Sequence, residues 1–296
     1  MSFSSEIKKE LNKTSSLSNK NLVKFELLGY LISGNIDLNN TKKEIKFSTE
    51  SDYNINRFSK LLSNLDINHD IDVVGKNFVI KLKVKKVENL IEVINDKIYI
   101  NKEILNENLK EEERKALIKG SFMGGGSVNN PENTYHLEII FQTIENLKLI
   151  KEMLNIFDIK VKDIELKNKY SIYIKDGEEI SKFLALIGAG KAVMKFEEIR
   201  ITKEMRGKVN RLVNCETANL NKTINASIEQ ISAIKKLKES KKFNKLNDNL
   251  KEIANLRLEN PDMSLVELGK LLKEPLGKSG VNYRLKKIIE IANDIK

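Results

Sequence analysis

Cysteine is almost missing from this chain. Cys215 stands alone among 296 residues, which excludes an internal disulfide framework. The two histidines, His69 and His136, have no Cys/His spacing of the kind a zinc site needs. No stretch reaches the length of a membrane span, and the opening MSFSSEIKKELNK lacks the apolar core of a secretory signal. These absences point to a soluble, cytoplasmic protein of a reducing compartment, with no membrane partner, no metal and no cofactor.

Charge is present and unevenly placed. The formal net charge is +10. From Met1 to Met205 there are 33 Lys and Arg against 31 Asp and Glu, whereas from Arg206 to Lys296 there are 19 against 11. Codon bias toward A/T accounts for much of the lysine in so Lys-, Asn- and Ile-rich a chain, but not for that asymmetry. A compact basic C-terminal region favours a polyanionic partner, nucleic acid before membrane. The length leaves room for two domains, and 40% apolar residues suffice for real cores.

Residues 114–128, RKALIKGSFMGGGSV, organise the chain. The run starts with helical spacing and ends in Gly124, Gly125 and Gly126, a composition suited to a sharp helix exit. Small residues on a helix face let a second backbone come close. A second copy occurs at 25–35, FELLGYLISGN, where Gly29 and Gly34 take the places of Gly120 and Gly125. All four glycines are candidate packing residues.

This pair resembles the two signature helices of LAGLIDADG homing endonucleases. The resemblance implies two helices packed at a pseudo-two-fold axis, with an acidic residue at the eighth position of each motif holding catalytic metals. Here that position falls on Gly34 and Gly125. The scaffold is retained and the carboxylates are lost.

Taken in order, a first helix is capped by Ser4 or Ser5, and the first motif helix runs from about Leu22 to Ser33. Strand-like runs follow at 43–49, 69–74 and 77–84, with helical spacing between the first two and a short closing helix at KVENLIEVI (86–94). The second half repeats the order: EIIFQT (138–143) matches EIKFST (44–49), and GEEISKFLALIG closes it. A first strand is expected beside Ile36 and near Val128. The expected architecture is α+β, a duplicated αββαββα saddle over 1–195. A helical connector and lysine-rich linker occupy 196–245, and an all-α helix-turn-helix domain occupies 246–296.

Within the connector, Arg206, Asn210, Arg211, Asn214, Asn219, Asn221 and Lys222 lie beside apolar residues. Two readings stand: an amphipathic helix with a solvated face, or a helix that follows a phosphate backbone. Cys215 is expected to be packed on its apolar flank. In the tail, Ser264 with Glu267 three residues on forms a capping box, and the turn PLGKSG leads into VNYRLKKIIEIA, with Ser279 as its expected cap. Val281, Leu285, Ile288 and Ala292 share one face of that helix. Tyr283, Lys286 and Lys287 point away and Asn282 and Arg284 flank, cations, an amide and an aromatic suited to phosphates and base edges. Lys278, Ser279, Asn282, Tyr283, Arg284, Lys286 and Lys287 are the candidate duplex-DNA-binding residues.

No catalytic residue is assigned. Asp37, three residues past Gly34, and Glu132, six past Gly126, are the acids a relocated metal site would use, yet Asp37 has no counterpart at 127–130. The glycine run follows a helix and so is not a phosphate loop. An acid-free LAGLIDADG scaffold followed by a helix-turn-helix resembles the WhiA family of bacterial regulators. The opening MSFSSEIKKEL, the motif GSFMGGGSV, the connector VNRLVNCETANLNKT and the tail NPDMSLVELGKLL carry that resemblance. It implies a non-enzymatic, nucleoid-associated DNA-binding protein acting in transcription, cell division, chromosome segregation and, in some bacteria, sporulation. Two alternatives remain: a metal-dependent nuclease or nickase with relocated acids, and a scaffold tethered to DNA whose saddle takes a protein partner. The oligomeric state is left open.

Overall fold

A computed structural model describes residues 2–14, 17–39, 41–105, 109–167 and 169–295. It divides into two compact units, residues 1–204 and 205–296.

The first unit is built twice. Helix α2 (Lys20–Leu31) leads to strands β1 (Ile36–Asn39) and β2 (Glu44–Thr49), helix α3 (Asp52–Asn64), and strands β3 (Ile71–Val74) and β4 (Asn77–Lys83). Helix α4 (Glu111–Gly125) then leads to β7 (Gly126–Val128), β8 (Leu137–Phe141), α5 (Ile144–Ile156), β9 (Lys162–Leu166), β10 (Lys169–Ile174) and α6 (Gly177–Leu186). The antiparallel sheets have matching orders, β1-β2-β4-β3 and β7-β8-β10-β9. Alternation explains their sidedness: Ile45 and Phe47 of β2, like Leu137, Ile139 and Phe141 of β8, are buried on the helix-covered side. The duplication extends to polar detail. Ser51 caps α3 through the Asn54 N–H, and Thr143 caps α5 through the Asn146 N–H. Asn54 Nδ2 donates to the Met123 carbonyl at 2.9 Å, and Asn146 Nδ2 donates to the Ile98 carbonyl at 2.8 Å.

The halves differ at their ends. The expected helix over 86–94 is instead a short 3-10 turn at Val84–Lys86 followed by a hairpin, β5 (Ile91–Ile94) with β6 (Lys97–Ile100). Asn95 and Asp96 take φ of 48° and 64°, the two left-handed positions of a tight hairpin turn, and the β-branched IEVI and KIYI flank them. That turn chemistry outweighs the helical spacing. The first helix, α1 (Phe3–Thr14), receives its cap from Ser2, whose Oγ accepts from the Ser5 N–H, and not from Ser4 or Ser5. Ser4 Oγ instead accepts from the Val128 N–H at 3.1 Å.

Helix α7 runs from Gly190 to Glu239, 50 residues. Its first turn is held by α1, because the Glu10 carboxylate accepts from the Lys191 and Ala192 N–H groups at 2.7 and 3.0 Å, a favourable place for a negative charge. In the second unit the last turns of α7 pack with α8 (Asp248–Glu259), α9 (Leu265–Lys270) and α10 (Lys278–Asn293) around Ile234, Leu237, Ile253, Leu268, Leu285 and Ile288. Residues 238–245, linker-like in composition, continue α7 to Glu239 and then form a 3-10 turn at Lys242–Lys245. Buried Leu237 and Leu246 bracket that turn and tie it to the core.

Candidate nucleic-acid interface

Two places could meet a nucleic acid, the paired motif helices with their sheets and the C-terminal helices. At the first, α2 and α4 touch backbone to backbone. A Cβ added at Gly29 would lie 2.3 Å from the Leu117 carbonyl oxygen, and one at Gly120 would lie 1.9 Å from that of Glu26. Only glycine allows this approach. Beside it, Glu26 is buried and accepts from Arg57 Nε and Nη2 at 2.8 and 2.7 Å, with Lys119 Nζ at 3.3 Å. The sequence reading missed this triad, since its members come from three helices; a charged residue inside an otherwise apolar motif, Glu26 in FELLGYL, was the available signal.

The far ends of the motif helices also meet. A Cβ at Gly125 would lie 3.0 Å from the Gly34 nitrogen and 2.7 Å from the Ile140 carbonyl oxygen. At Gly34 it would lie 2.6 Å from Ile140 Cγ2. The Gly34 N–H donates to the Ile140 carbonyl at 2.7 Å, and Lys169 Nζ donates to the Gly34 carbonyl at 3.3 Å. An isoleucine and an ammonium thus occupy the place where metal-binding acids would project. Magnesium requires oxygen ligands and one or two carboxylates, so this donor set does not fit it. Asp37 lies exposed on β1 and Glu132 exposed in the 129–136 loop. Among the described residues, no three His, Cys, Asp or Glu side chains are placed to share a metal ion.

The open face of the first sheet is charge-balanced. Lys46, Lys81 and Lys83 alternate with Asp37, Glu44 and Asp72 across its strands. Lys81 pairs with Asp72 at 3.1 Å and Lys83 with Glu44 at 2.9 Å. Lys83 draws the Glu44 carboxyl below its ordinary range. On the second sheet the same face carries Ile140, Ile164, Leu166 and Tyr173 with Lys162 and Lys169 at its margins, and Ser171 Oγ donates to Glu138 at 2.6 Å. A duplex backbone calls for unpaired cations, and these faces offer few.

The C-terminal unit is different. Arg257, buried, donates through Nη1 to the carbonyls of Asn260, Pro261 and Met263, the last at 2.7 Å, and so fixes the turn after α8. Ser264 and Glu267 form the reciprocal capping box at the start of α9, and the Ser264 bonds lower the Glu267 pKa. Gly269 lets the next turn close, since a Cβ there would meet the Leu276 carbonyl oxygen at 2.1 Å. Helix α10 begins at Lys278 with Gly277 as cap residue. Ser279 is therefore inside the first turn and is not the cap; the chain enters the helix as soon as PLG has turned. Val281, Leu285, Ile288 and Ala292 are buried. Lys278, Ser279, Tyr283, Lys286 and Lys287 are exposed, Asn282 and Arg284 are half-buried at the edges, and Lys287 Nζ lies 5.9 Å from the Tyr283 ring centroid.

Along the connector part of α7, from Lys208 to Ala226, every residue is exposed. That includes Cys215, expected to be packed; no element of its own unit covers this part of the helix. No described helix is long and apolar enough to cross a membrane.

Residues 114–206 match the family model described as the WhiA LAGLIDADG-like domain, and residues 209–292 match that of the WhiA C-terminal HTH domain. The chain is 39% identical to the probable cell division protein WhiA of Clostridium novyi, an alignment spanning 100% of this chain and 99% of that protein. Its structure resembles full-length WhiA from Thermotoga maritima with a TM-score of 0.60 at 30% identity, covering 99% of this chain and 98% of the other. The isolated N-terminal LAGLIDADG domain of a WhiA protein matches with a TM-score of 0.50 at 28% identity, over 63% of this chain and 92% of the other. With both domain models matched and a relative aligned from end to end, this chain belongs to the WhiA family.

Proposed function

We propose that the protein is a non-cleaving duplex-DNA-binding regulator, acting in cell division as its Clostridium novyi relative is named, with transcription and chromosome segregation as the processes it serves. The observation that carries this reading is the two-sidedness of α10: an apolar face locked into the core and an outer face bearing Lys278, Tyr283, Arg284, Lys286 and Lys287. In a helix-turn-helix the third helix of such a unit lies in the major groove. Arg284 and Asn282 have the donors and acceptors to read base edges. The lysines and Ser279 near the helix start suit phosphates.

The first unit serves this function as a scaffold. The open face of its first sheet pairs Lys81 with Asp72 and Lys83 with Glu44, that of the second is largely apolar, and the ends of its motif helices lack the carboxylates that cleavage needs, so the saddle is offered to a protein and not to DNA. Selection of bound duplexes from a random pool by the full chain, followed by sequencing, tests the reading. Enrichment of one motif that is lost in Arg284→Ala supports it. Sequence-independent recovery, unchanged in that variant, contradicts it. Metal-dependent nicking of supercoiled plasmid, abolished in Asp37→Ala or Glu132→Ala, would favour the nuclease alternative.

A further inference from the structure

Helix α7 carries an uncovered apolar row. Met205, Val209, Val213, Leu220, Ile224 and Ile228 are each between 44% and 64% exposed, on a segment whose residues from 208 to 226 touch no other element of their unit closely enough to be covered. Scattered single apolar side chains on a surface need no explanation, but a contiguous row of this size marks a contact.

The row reads the same in both directions. Its steps are four, four, seven, four and four residues, symmetric about the midpoint between Glu216 and Thr217. An antiparallel copy related by a two-fold axis at that midpoint sets Met205 against the second copy's Ile228, Val209 against its Ile224, and Val213 against its Leu220. Self-complementarity of this kind is what an isologous dimer interface requires. The mean repeat is longer than 3.6 residues, which gives the pair a right-handed crossing. At roughly 100 Å² of exposed surface per side chain, with Leu212 beside the row, each copy offers on the order of 700 Å², close to the ~800 Å² per partner of a stable interface. A foreign acidic helix would satisfy the flanking cations, but nothing in such a partner would explain the symmetry of the spacing.

We propose that the connector part of α7 is a self-association surface, pairing antiparallel with a second copy of this chain about the Glu216–Thr217 midpoint. One side-chain feature sets its character. The two copies of Glu216 approach one another at the axis, a polar contact that fixes register at a cost in stability.

Cys215 reports on this arrangement. At 100° per residue it lies about 150° around the helix from the apolar row, on the outer face of the pair, and it is exposed and unique in the sequence, a place where a label leaves the row untouched. The test uses the full chain. Light scattering after size exclusion at tens of micromolar protein should give twice the 33.9 kDa chain mass, and mixing chains labelled at Cys215 with a donor dye and with an acceptor dye should give energy transfer between them. Val209→Glu with Ile224→Glu, two exposed positions whose change leaves the cores untouched, should return the monomer and abolish the energy transfer. Glu216→Gln should tighten association several-fold. A parent chain that stays monomeric up to 100 µM (about a hundredfold above a micromolar Kd) would overturn the proposal, as would a dimer indifferent to the Val209/Ile224 pair.

Discussion

Gly120 lies against the backbone of Glu26 so closely that a Cβ would come within 1.9 Å of the Glu26 carbonyl oxygen. The neighbour is main chain on a buried helix and cannot swing aside as a side chain can.

Gly120→Val should therefore force α2 and α4 apart and destabilise the first unit by at least the ~1–3 kcal/mol of ordinary overpacking. Gly207 gives the contrast. It is half-buried in α7 just before the exposed stretch, and a Cβ there would meet only Arg211 Nη1 at 3.6 Å, so Gly207→Ala should stabilise the helix by about 1 kcal/mol. Thermal melts of both variants check the pair of signs. An unchanged melt for Gly120→Val would remove the central-helix-pair account.

The buried triad predicts an order of costs. Glu26 accepts from both Arg57 and Lys119, and burial holds the Lys119 pKa down to about 8 despite the attraction of Glu26. Glu26→Gln leaves two buried cations and should cost ~3–5 kcal/mol. Lys119→Met keeps the two short Arg57–Glu26 bonds and loses only the 3.3 Å contact, so it should cost far less. Chemical denaturation of the two variants measures the difference, and equal losses would refute it.

The same lysine gives a pH dependence with a defined sign. Between about 8 and its ordinary value of 10.5, Lys119 has lost its proton in the folded chain but keeps it in the unfolded one. The unfolded state then binds more protons, so stability rises with pH across that window. Lys8, held to about 8 by burial near the Phe122 ring, adds to the rise. Denaturation midpoints at pH 7.5 and 9.5 should differ in that direction, with the difference reduced in Lys119→Met. A fall over this interval would contradict the assignment.

The Ser264–Glu267 box predicts a local effect at the second unit. Ser264→Ala removes the acceptor for the Glu267 N–H at 3.3 Å and should cost about 0.5–2 kcal/mol. Amide exchange should report the loss in α9 and the following turn, while the first unit keeps its protection. Loss of protection throughout the first unit would show the box to do something other than cap α9.

The duplicated fold was legible because each half announces itself twice, in EIKFST and EIIFQT and in the two small-residue helices. The helix-turn-helix was legible because its cap, turn and apolar face are all local patterns. What escaped depends on dihedrals or on distant partners. The hairpin at 91–100 hangs on left-handed Asn95 and Asp96, and the cap of α10 depends on where the Gly277 turn ends. Ile140 and Lys169 reach the ends of the motif helices from the second sheet, so no spacing within either motif could show them filling that place. The exposure of Cys215 likewise follows from what does not pack on α7, which an amphipathic pattern alone does not reveal.

The central claim, that duplex DNA is bound by the outer face of α10 and not by the sheets of the first unit, is tested most directly by the salt dependence of binding. Anisotropy of a labelled duplex would be followed with the full chain, with Arg284→Ala/Lys286→Ala, and with Lys46→Ala/Lys81→Ala. Each lost phosphate contact lowers the slope of log K against log salt by about 0.9. The account predicts weaker binding and a shallower slope for the α10 pair, with no change for the sheet pair. A parent-like slope in the α10 pair, together with a reduced slope in the sheet pair, would contradict it.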